Sequence, residues 1–326
     1  MKAVLCKEYG HWSNLRVEDI PSPKAGKGQV LIEIKACGVN FPDLLIVEGL
    51  YQFKPPLPFS PGAEVAGVVK ELGEGVKHLE VGDRVFTGLL FGGYAQEVAT
   101  DARTVFKIPD DMDFVQAASL MMTYGTSYHA LVDRARIRPD ETLLVLGAAG
   151  GVGLAAMDIA KALGAKVIAA ASTDEKLEFC KAFGADEVIN YNREDLKERI
   201  KTLTKGQGVN VIYDPVGGDF SESAFRSIAW EGRFLVVGFA AGQIPKIPLN
   251  LPLLKGADII GVFWGAFTQR DPRRNMENMQ AILSLFQEGK LRNHIHATYS
   301  LEQVQEALRE VAQRKVIGKV VLLTES

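Results

Sequence analysis

A run of small residues, Gly147-Ala-Ala-Gly150-Gly151-Val152-Gly153, follows an apolar segment, Thr142-Leu-Leu-Val-Leu146, and precedes a helical pattern from Leu154 to Leu163. Glycines at a strand-to-helix turn let backbone N–H groups approach a phosphate, and the helix N-terminus adds partial positive charge. The turn therefore predicts a site for the pyrophosphate of a dinucleotide, and with it redox chemistry. Gly150, Gly151, Val152 and Gly153 supply the backbone that would touch it. The spacing is G-x-x-G-x-x-G, with Ala149 where the common fingerprint has its second glycine. Context strengthens the reading: a second strand, Lys166-Val-Ile-Ala-Ala-Ala171, completes a β-α-β unit of the expected length. Val152, Ala156, Ile159, Ala160 and Leu163 share one face of the intervening helix, with Asp158 and Lys161 off it. Gly164 is placed to cap that helix. Otherwise the turn would merely pack helix on strand.

The ribose end tells which dinucleotide. An NAD site has an acid at the end of the second strand, bonding the ribose hydroxyls. Here the strand ends Ala171-Ser172-Thr173, the first acid is Asp174, and Lys176 follows. A hydroxyl followed by a lysine suits a 2′-phosphate better than a bare ribose. Tyr191, ending the third strand (Glu187-Val-Ile-Asn-Tyr191), could flank that phosphate or the adenine. The pattern favours NADPH. Lys176 taken alone reads as a solvated helix face. Asp174 is harmless as a helix N-cap, but aimed at the ribose it would favour NAD.

The elements that must position these residues alternate. Strands are predicted near Leu143, Val167, Val188, Val211, Leu235 and Ile260, with helices over 152–163, 174–183, 194–203 and 221–228. The fold class is α/β, a doubly wound parallel (Rossmann) sheet. A closing helix runs Arg274–Glu288. The first third is β-rich: Met1–Leu5, Val30–Ala36, Ala63–Lys70, a turn into a strand at Val81–Val85, and Tyr94–Val98, with an extended loop at Pro55-Pro-Leu-Pro58. The tail holds a helix, Leu301–Ala312, and a strand, Gly318–Leu323, which is expected to return to the first domain. The domains are then 1–122 (catalytic), 123–265 (dinucleotide-binding), 266–290 (closing helix) and 291–326 (return), with the cofactor expected in the cleft between the two.

Composition excludes several classes. With 326 residues and 47% hydrophobic content, two domains with a large core are expected. A net charge of −3 with no basic, aromatic-interleaved stripe argues against nucleic acid. No stretch is apolar and long enough to span a bilayer. Cys6, Cys37 and Cys180 lie far apart, as in a reducing cytosol, and the N-terminus opens directly as a strand without a signal peptide, so a cytoplasmic location is expected.

Taken together, the motifs resemble the zinc-free medium-chain dehydrogenase/reductases, specifically the NADPH:quinone oxidoreductase-like (zeta-crystallin-like) branch, over essentially the whole chain. The stretches that carry the resemblance are Ala36-Cys-Gly-Val-Asn40-Phe-Pro-Asp43, Pro61-Gly-Ala-Glu64-Val-Ala-Gly67, Val81-Gly-Asp-Arg-Val85, Ala148-Ala-Gly-Gly-Val-Gly153, Val188-Ile-Asn-Tyr191, Asp214-Pro-Val-Gly217-Gly218 and Gly318-Lys319-Val-Val-Leu. The resemblance implies a GroES-like catalytic domain beside the Rossmann domain. Zinc-dependent relatives carry Cys where this chain has Asn40 and His where it has Ala63, and their four-Cys lobe is absent here. No metal is therefore expected. His294-x-His296 reads as a surface pair.

Without a metal to polarise an alcohol, the hydride acceptor must already be electrophilic: a quinone or an α,β-unsaturated carbonyl. By resemblance Asn40 faces the nicotinamide and can donate a hydrogen bond to the acceptor carbonyl, unless it only forms the turn. Asp43 holds the loop or a cation, or caps a helix. Tyr51 matches a tyrosine that enoyl-thioester reductases place near substrate, and a phenol can protonate an enolate; it also reads as a half-buried aromatic. The resemblance puts Thr126 by the cofactor, Val216 and Gly217 under the nicotinamide ribose, and Gly238, Phe239, Phe263 and Trp264 at its carboxamide, with Lys319 also on the cofactor side. Phe263 and Trp264 also read as core aromatics.

Two alternatives remain open. Arg270, Arg273 and Arg274 could serve a 2-enoyl-CoA thioester. A non-catalytic NADPH-binding protein with a structural or RNA-associated role would keep the turn and lose the chemistry. Finally, the apolar sixth strand, Asp258–Phe263, would form a sheet edge, which predicts a homodimer pairing those strands across a two-fold axis.

Overall fold

The computed structural model describes residues 1–324. They form two compact units: Met1–Met122 with the segment from His294 onward, and Thr123–Asn293.

The first stretch carries β1 (Lys2–Leu5), β2 (Arg16–Asp19), β3 (Gln29–Val39), α1 (Phe41–Val47), β4 (Glu64–Leu72), β5 (Arg84–Gly88), β6 (Glu97–Asp101), β7 (Val105–Lys107), α2 (Phe114–Ala117) and α3 (Met121–Tyr128). The middle carries β8 (Thr142–Leu146), α4 (Gly151–Ala162), β9 (Lys166–Ala171), α5 (Asp174–Ala182), β10 (Glu187–Asn190), α6 (Leu196–Leu203), β11 (Val209–Asp214), α7 (Asp219–Phe225), β12 (Ile228–Val236), α8 (Asn250–Lys255), β13 (Asp258–Gly261), α9 (Trp264–Arg270) and α10 (Pro272–Gln287). The last carries β14 (Ile295–Ser300), α11 (Val304–Ala312) and β15 (Lys319–Leu323).

In the first unit the main sheet runs β14-β15-β3-β4-β5-β7, with β6 also on β3 and β1–β2 a separate pair. In this sheet β15 lies antiparallel on β3, Val320 opposite Val39 and Val321 opposite Gly38. Val304, Ala307 and Leu308 of α11 are spaced to share one face, and all three are buried in the same core as Ile34, Leu44, Phe59 and Tyr94.

The second unit is an all-parallel sheet of order β10-β9-β8-β11-β12-β13. Leu143, Leu144, Val145 and Leu146 are all fully buried, as expected of a strand covered on both faces. The strand order reverses between β8 and β11, where parallel sheets leave a crevice beyond their carboxyl ends.

Several local readings shift. The fourth helix of this unit is Asp219–Phe225, not 221–228, because Gly218 at φ +65° starts it earlier and β12 takes over at Ile228. The strand expected over 94–98 is Glu97–Asp101; Ala95 makes only an isolated bridge to Ala3. The sixth strand stops at Gly261, and Trp264 opens α9. The six-residue α8 and seven-residue α9 are too short for an apolar period to register. Asp158, assigned to the polar face of α4, is 1% exposed. Its Oδ2 accepts from Tyr124 OH at 2.9 Å and from the Arg292 backbone N–H at 2.6 Å, partners that local periodicity does not reveal. Burial raises its carboxyl above the usual range, against those hydrogen bonds.

Candidate active site

In the dinucleotide unit, Gly150 is the N-cap of α4 and makes no side-chain cap hydrogen bond. The first N–H groups of a helix have no intrahelical acceptor, so this end can receive an anion. A Cβ on Gly153 would come within 2.5 Å of Gly147 O and 2.7 Å of Ala148 O. Only glycine lets α4 start so close to the turn after β8. These residues fit the pyrophosphate of a dinucleotide.

The turn after β11 is shaped by a buried carboxylate. Asp214 Oδ1 accepts from the N–H groups of Val216 (2.9 Å) and Gly217 (2.8 Å), and Oδ2 accepts from Ser221 Oγ at 2.5 Å. Burial lifts its pKa above normal. Val216 and Gly217 are thus fixed beside the strand reversal. Gly238 packs near this turn, its Cβ position 3.2 Å from Pro215 O, and Phe239 abuts Gly217. Trp264 is buried and covers Gly125, next to Thr126 in α3, while Phe263 is 57% exposed.

Beyond the carboxyl end of β9, the N-cap of α5 is Thr173 rather than Asp174. Asp174 is already engaged: it accepts from Asn190 Nδ2 at 2.5 Å and pairs with Arg193. Asn192 Nδ2 donates to Ser172 O at 3.0 Å. Tyr191 packs on Phe220, ring centroids 4.3 Å apart. Lys176 lies in the first turn of α5. Arg193, which the sequence did not single out, brings a further guanidinium to this end of the sheet. Its signal was available: it follows Tyr191 by two residues.

The first unit holds a different assembly. Lys319 Nζ lies 2.6 Å from Glu64 Oε1 and also donates to Asn40 Oδ1; the Lys319 side chain is 5% exposed and that of Glu64 is fully buried. Asn40 Nδ2 donates to Glu64 Oε1 at 2.9 Å and, more weakly, to Gly38 O at 3.4 Å. Glu64 Oε2 accepts from the Met122 N–H at 2.9 Å. Sheet register builds this. Val320 opposite Val39 carries Lys319 to Asn40, and Val65 opposite Cys37 carries Glu64 to Gly38. A Cβ on Gly38 would fall 2.4 Å from Glu64 Oε1, so glycine there lets the carboxylate cross the strand. A buried ion pair of this kind is costly to break from one side.

Asp43 sits beside the cluster, fully buried. Its Oδ2 accepts from the Asn40 N–H and from Tyr94 OH, both at 2.8 Å, while Oδ1 has no hydrogen-bond partner. It reaches back to the residue before α1, as the helix-capping reading expects. Tyr51 packs on the same core from the loop after α1. Burial first, then the charge of Asp43, raises its phenol pKa, so Tyr51 stays protonated. The structure therefore gathers Asn40, Asp43, Glu64 and Lys319 into one buried network. Both amide hydrogens of Asn40 point at protein acceptors. Glu64 and Tyr94 were missed as network members; Glu64 lies in a quoted motif, but only strand pairing reveals its partner.

Comparisons with known proteins agree with this architecture. Residues 26–110 match the alcohol dehydrogenase GroES-like domain, and residues 151–283 match a family described as zinc-binding dehydrogenase. The chain is 43% identical to a quinone oxidoreductase-like protein 2 homolog of Nematostella vectensis, over 99% of this chain and 89% of that protein. It is 35% identical to the human quinone oxidoreductase, over 99% and 98%. Among solved structures, the Escherichia coli quinone oxidoreductase complexed with NADPH superposes with a TM-score of 0.91 at 31% identity, covering 99% of this chain and 100% of that one.

The buried network has a pH signature. Burial raises the Asp43 carboxyl from 3.8 to about 6, against its hydrogen bonds from Asn40 and Tyr94. Between those values the folded protein binds more protons than the unfolded chain, so this group's contribution to stability falls as pH rises and levels off above about 6. The shift corresponds to about 3 kcal/mol. Asp43→Asn keeps an acceptor for both donors and does not ionise. Urea denaturation at pH 4 and pH 7 should show the variant gaining on the wild type by up to about 3 kcal/mol at the higher pH. A difference that stays constant with pH would count against a raised Asp43.

Proposed function

The chain belongs to the quinone oxidoreductase-like branch of the medium-chain dehydrogenase/reductases, an NADPH-dependent oxidoreductase, and on that premise we propose that it reduces a quinone or an α,β-unsaturated carbonyl without a metal. The uncapped, glycine-lined start of α4 at the strand reversal carries the cofactor half of this reading. The 2′-phosphate preference is supported by the chemistry at the ends of β9 and β10. Asp174 is engaged by Asn190 and Arg193, and Ser172, Lys176 and Tyr191 at the same strand ends are the proposed phosphate residues. Thr126, Gly150, Gly151, Val152, Gly153, Val216, Gly217, Gly238, Phe239, Phe263 and Trp264 complete the proposed cofactor residues.

Bound NADPH supplies a hydride. The chain's own part is to hold the acceptor, exclude water and deliver a proton. We assign the proton to Tyr51 Oη, kept protonated by its surroundings. Asn40 and Asp43 act as positioning groups for that loop, with Asn40 held by Glu64 and Lys319. Lys319, proposed from sequence as a cofactor residue, has its ammonium on Glu64 and Asn40, and its proposed contribution is the fixed charge there.

The donor set supports metal independence. A dication placed at Asn40 and Glu64 would meet an ammonium already 2.6 Å from the carboxylate. An electrophilic acceptor needs no such ion, because the negative charge delocalises into an enolate or hydroquinone. In the basic cluster of the enoyl-CoA alternative (Arg270, Arg273, Arg274), Arg274 is paired with Asp133 and Glu277 and Arg273 with Glu277 in an exposed pair. An RNA-associated role draws no support from a net charge of −3 and a sequence without a basic, aromatic-interleaved stripe.

We also propose a cytoplasmic homodimer. All three cysteines are free and buried, in keeping with a reducing compartment. No helix among the described residues is long and apolar enough to cross a membrane. Strand β13 ends the sheet order, Ile259 on it is 43% exposed, and Leu249, Leu253 and Leu254 around α8 are each more than two-thirds exposed. An apolar edge of this kind is normally covered.

Three measurements bear on these assignments. NADPH oxidation should proceed with ortho- and para-quinones or simple enones and be slow with short enoyl-CoAs; turnover confined to enoyl-CoA would replace the reading. In that assay Tyr51→Phe should lower kcat by about a hundredfold, and an unchanged kcat would remove Tyr51 as the proton donor. Lys176→Ala should raise the Kd for NADPH by about ten- to a hundredfold and leave that for NADH nearly unchanged; equal losses for both would point away from a 2′-phosphate contact. Light scattering of the purified chain should give twice the monomer mass, and a monomer would end the edge-pairing proposal.

A further inference from the structure

The loop that carries Tyr51 belongs to an apolar rim that the reading above leaves unexplained. Aromatic rings lead from the core to the surface in a connected series. Tyr9 lies 6.2 Å from Phe59, Phe59 meets Phe91 edge-on at 6.0 Å, and Phe91 stacks on Phe53 at 6.2 Å with 22° between planes. Phe59 is buried, whereas Phe53 is 38% exposed. Leu50 and Leu57 on the same loop and Leu90 beside Phe91 in sequence are 70%, 41% and 54% exposed. The Phe53–Phe91 contact joins the two loops that carry these leucines. Single exposed apolar residues are ordinary, but a group of them marks a binding surface.

The rim is fixed in place. The N–H groups of Leu50 and Tyr51 both donate to Leu45 O, at 2.8 and 3.2 Å. Tyr9 OH donates to Pro55 O. Prolines 55, 56 and 58 stiffen the stretch between. It is also nearly uncharged: within residues 50–58 and 89–92 the sole charged side chain is Lys54, whose ammonium lies 5.9 Å over the Tyr9 ring.

We infer that this rim is a subsite for a hydrocarbon tail on the acceptor, so that the preferred substrates are alkyl- or alkenyl-substituted quinones or enones whose carbonyl reaches Tyr51. The inference rests on the proposed reductase function. Continuity supports it, because Tyr51 lies between Leu50 and Phe53 on one rigid loop. Charge supports it as well. A polyanionic coenzyme A arm or an anionic membrane would need several cations, and the rim offers one. A second copy of the chain would need roughly 1,000 Å² of buried surface, beyond what four side chains provide.

A homologous series tests it: 2-alkyl-1,4-benzoquinones from methyl to hexyl, assayed with NADPH. Full burial of a methylene corresponds to a factor of about four, so on a half-open rim kcat/KM should rise by about twofold per carbon and then level off. Phe53→Ser and, separately, Leu90→Ser should bring the hexyl-to-methyl ratio of kcat/KM toward one; Leu90 is exposed enough that its substitution spares the fold. A flat series in the wild type overturns the subsite and leaves the reductase function standing. A rising series that both variants retain places the preference elsewhere and also overturns it. No NADPH oxidation with any member brings down the function itself, and the subsite with it.

Discussion

A carboxylate taken out of water must be given a counter-charge, and in this protein that requirement ties the two ends of the first unit together. Glu64 on β4 is fully buried, and its partner arrives from the last strand, more than 250 residues along the chain. The antiparallel register of β15 on β3 sets Lys319 against Asn40. Gly38 leaves the gap through which the Glu64 carboxylate crosses. The amide of Asn40, the start of α1 and the loop carrying Tyr51 all hang from that pairing. Neutralising a buried charge therefore also orients the groups assigned to the chemistry.

The second unit solves a different problem: leaving backbone N–H groups uncovered at the start of α4, where the cofactor phosphate is proposed to bind. It does so with an N-cap that offers no side chain and with a glycine that admits the helix to within contact of the preceding turn. The buried carboxylate of Asp214 is used inwardly, satisfied by two backbone N–H groups and the Ser221 hydroxyl, so that it shapes a loop. Asp158 likewise links Tyr124 in α3 to the backbone at Arg292. In each case burial raises the acid's pKa, and in each case donors nearby oppose the rise.

Much of this was legible in the sequence. The six strands of the parallel sheet fall where their apolar runs predicted, most plainly β8, where residues 143–146 are covered on both faces and leave no polar position to blur it. The glycine turn was readable for the same local reason: turn, strand and helix are neighbours in sequence. The short helices α8 and α9, the left-handed start of α7 and the polar-face assignment of Asp158 were not. Each depends on too few residues for a period, or on a partner far along the chain. Tyr51 could be named from its position, yet the aromatic series beside it could not, since Phe53, Phe59 and Phe91 come together only when the loops fold.

The sequence by itself determined what is local: the parallel sheet, the glycine turn and the family resemblance that names NADPH. Tertiary structure alone decided which charges meet. It gave Lys319 to Glu64 and Asn40, Arg193 to Asp174, and Arg274 to Asp133. The reason is physical. Backbone conformation and apolar periodicity act over a few residues, while a charge-assisted contact exists only at a few ångströms, and strand register and helix packing set those distances.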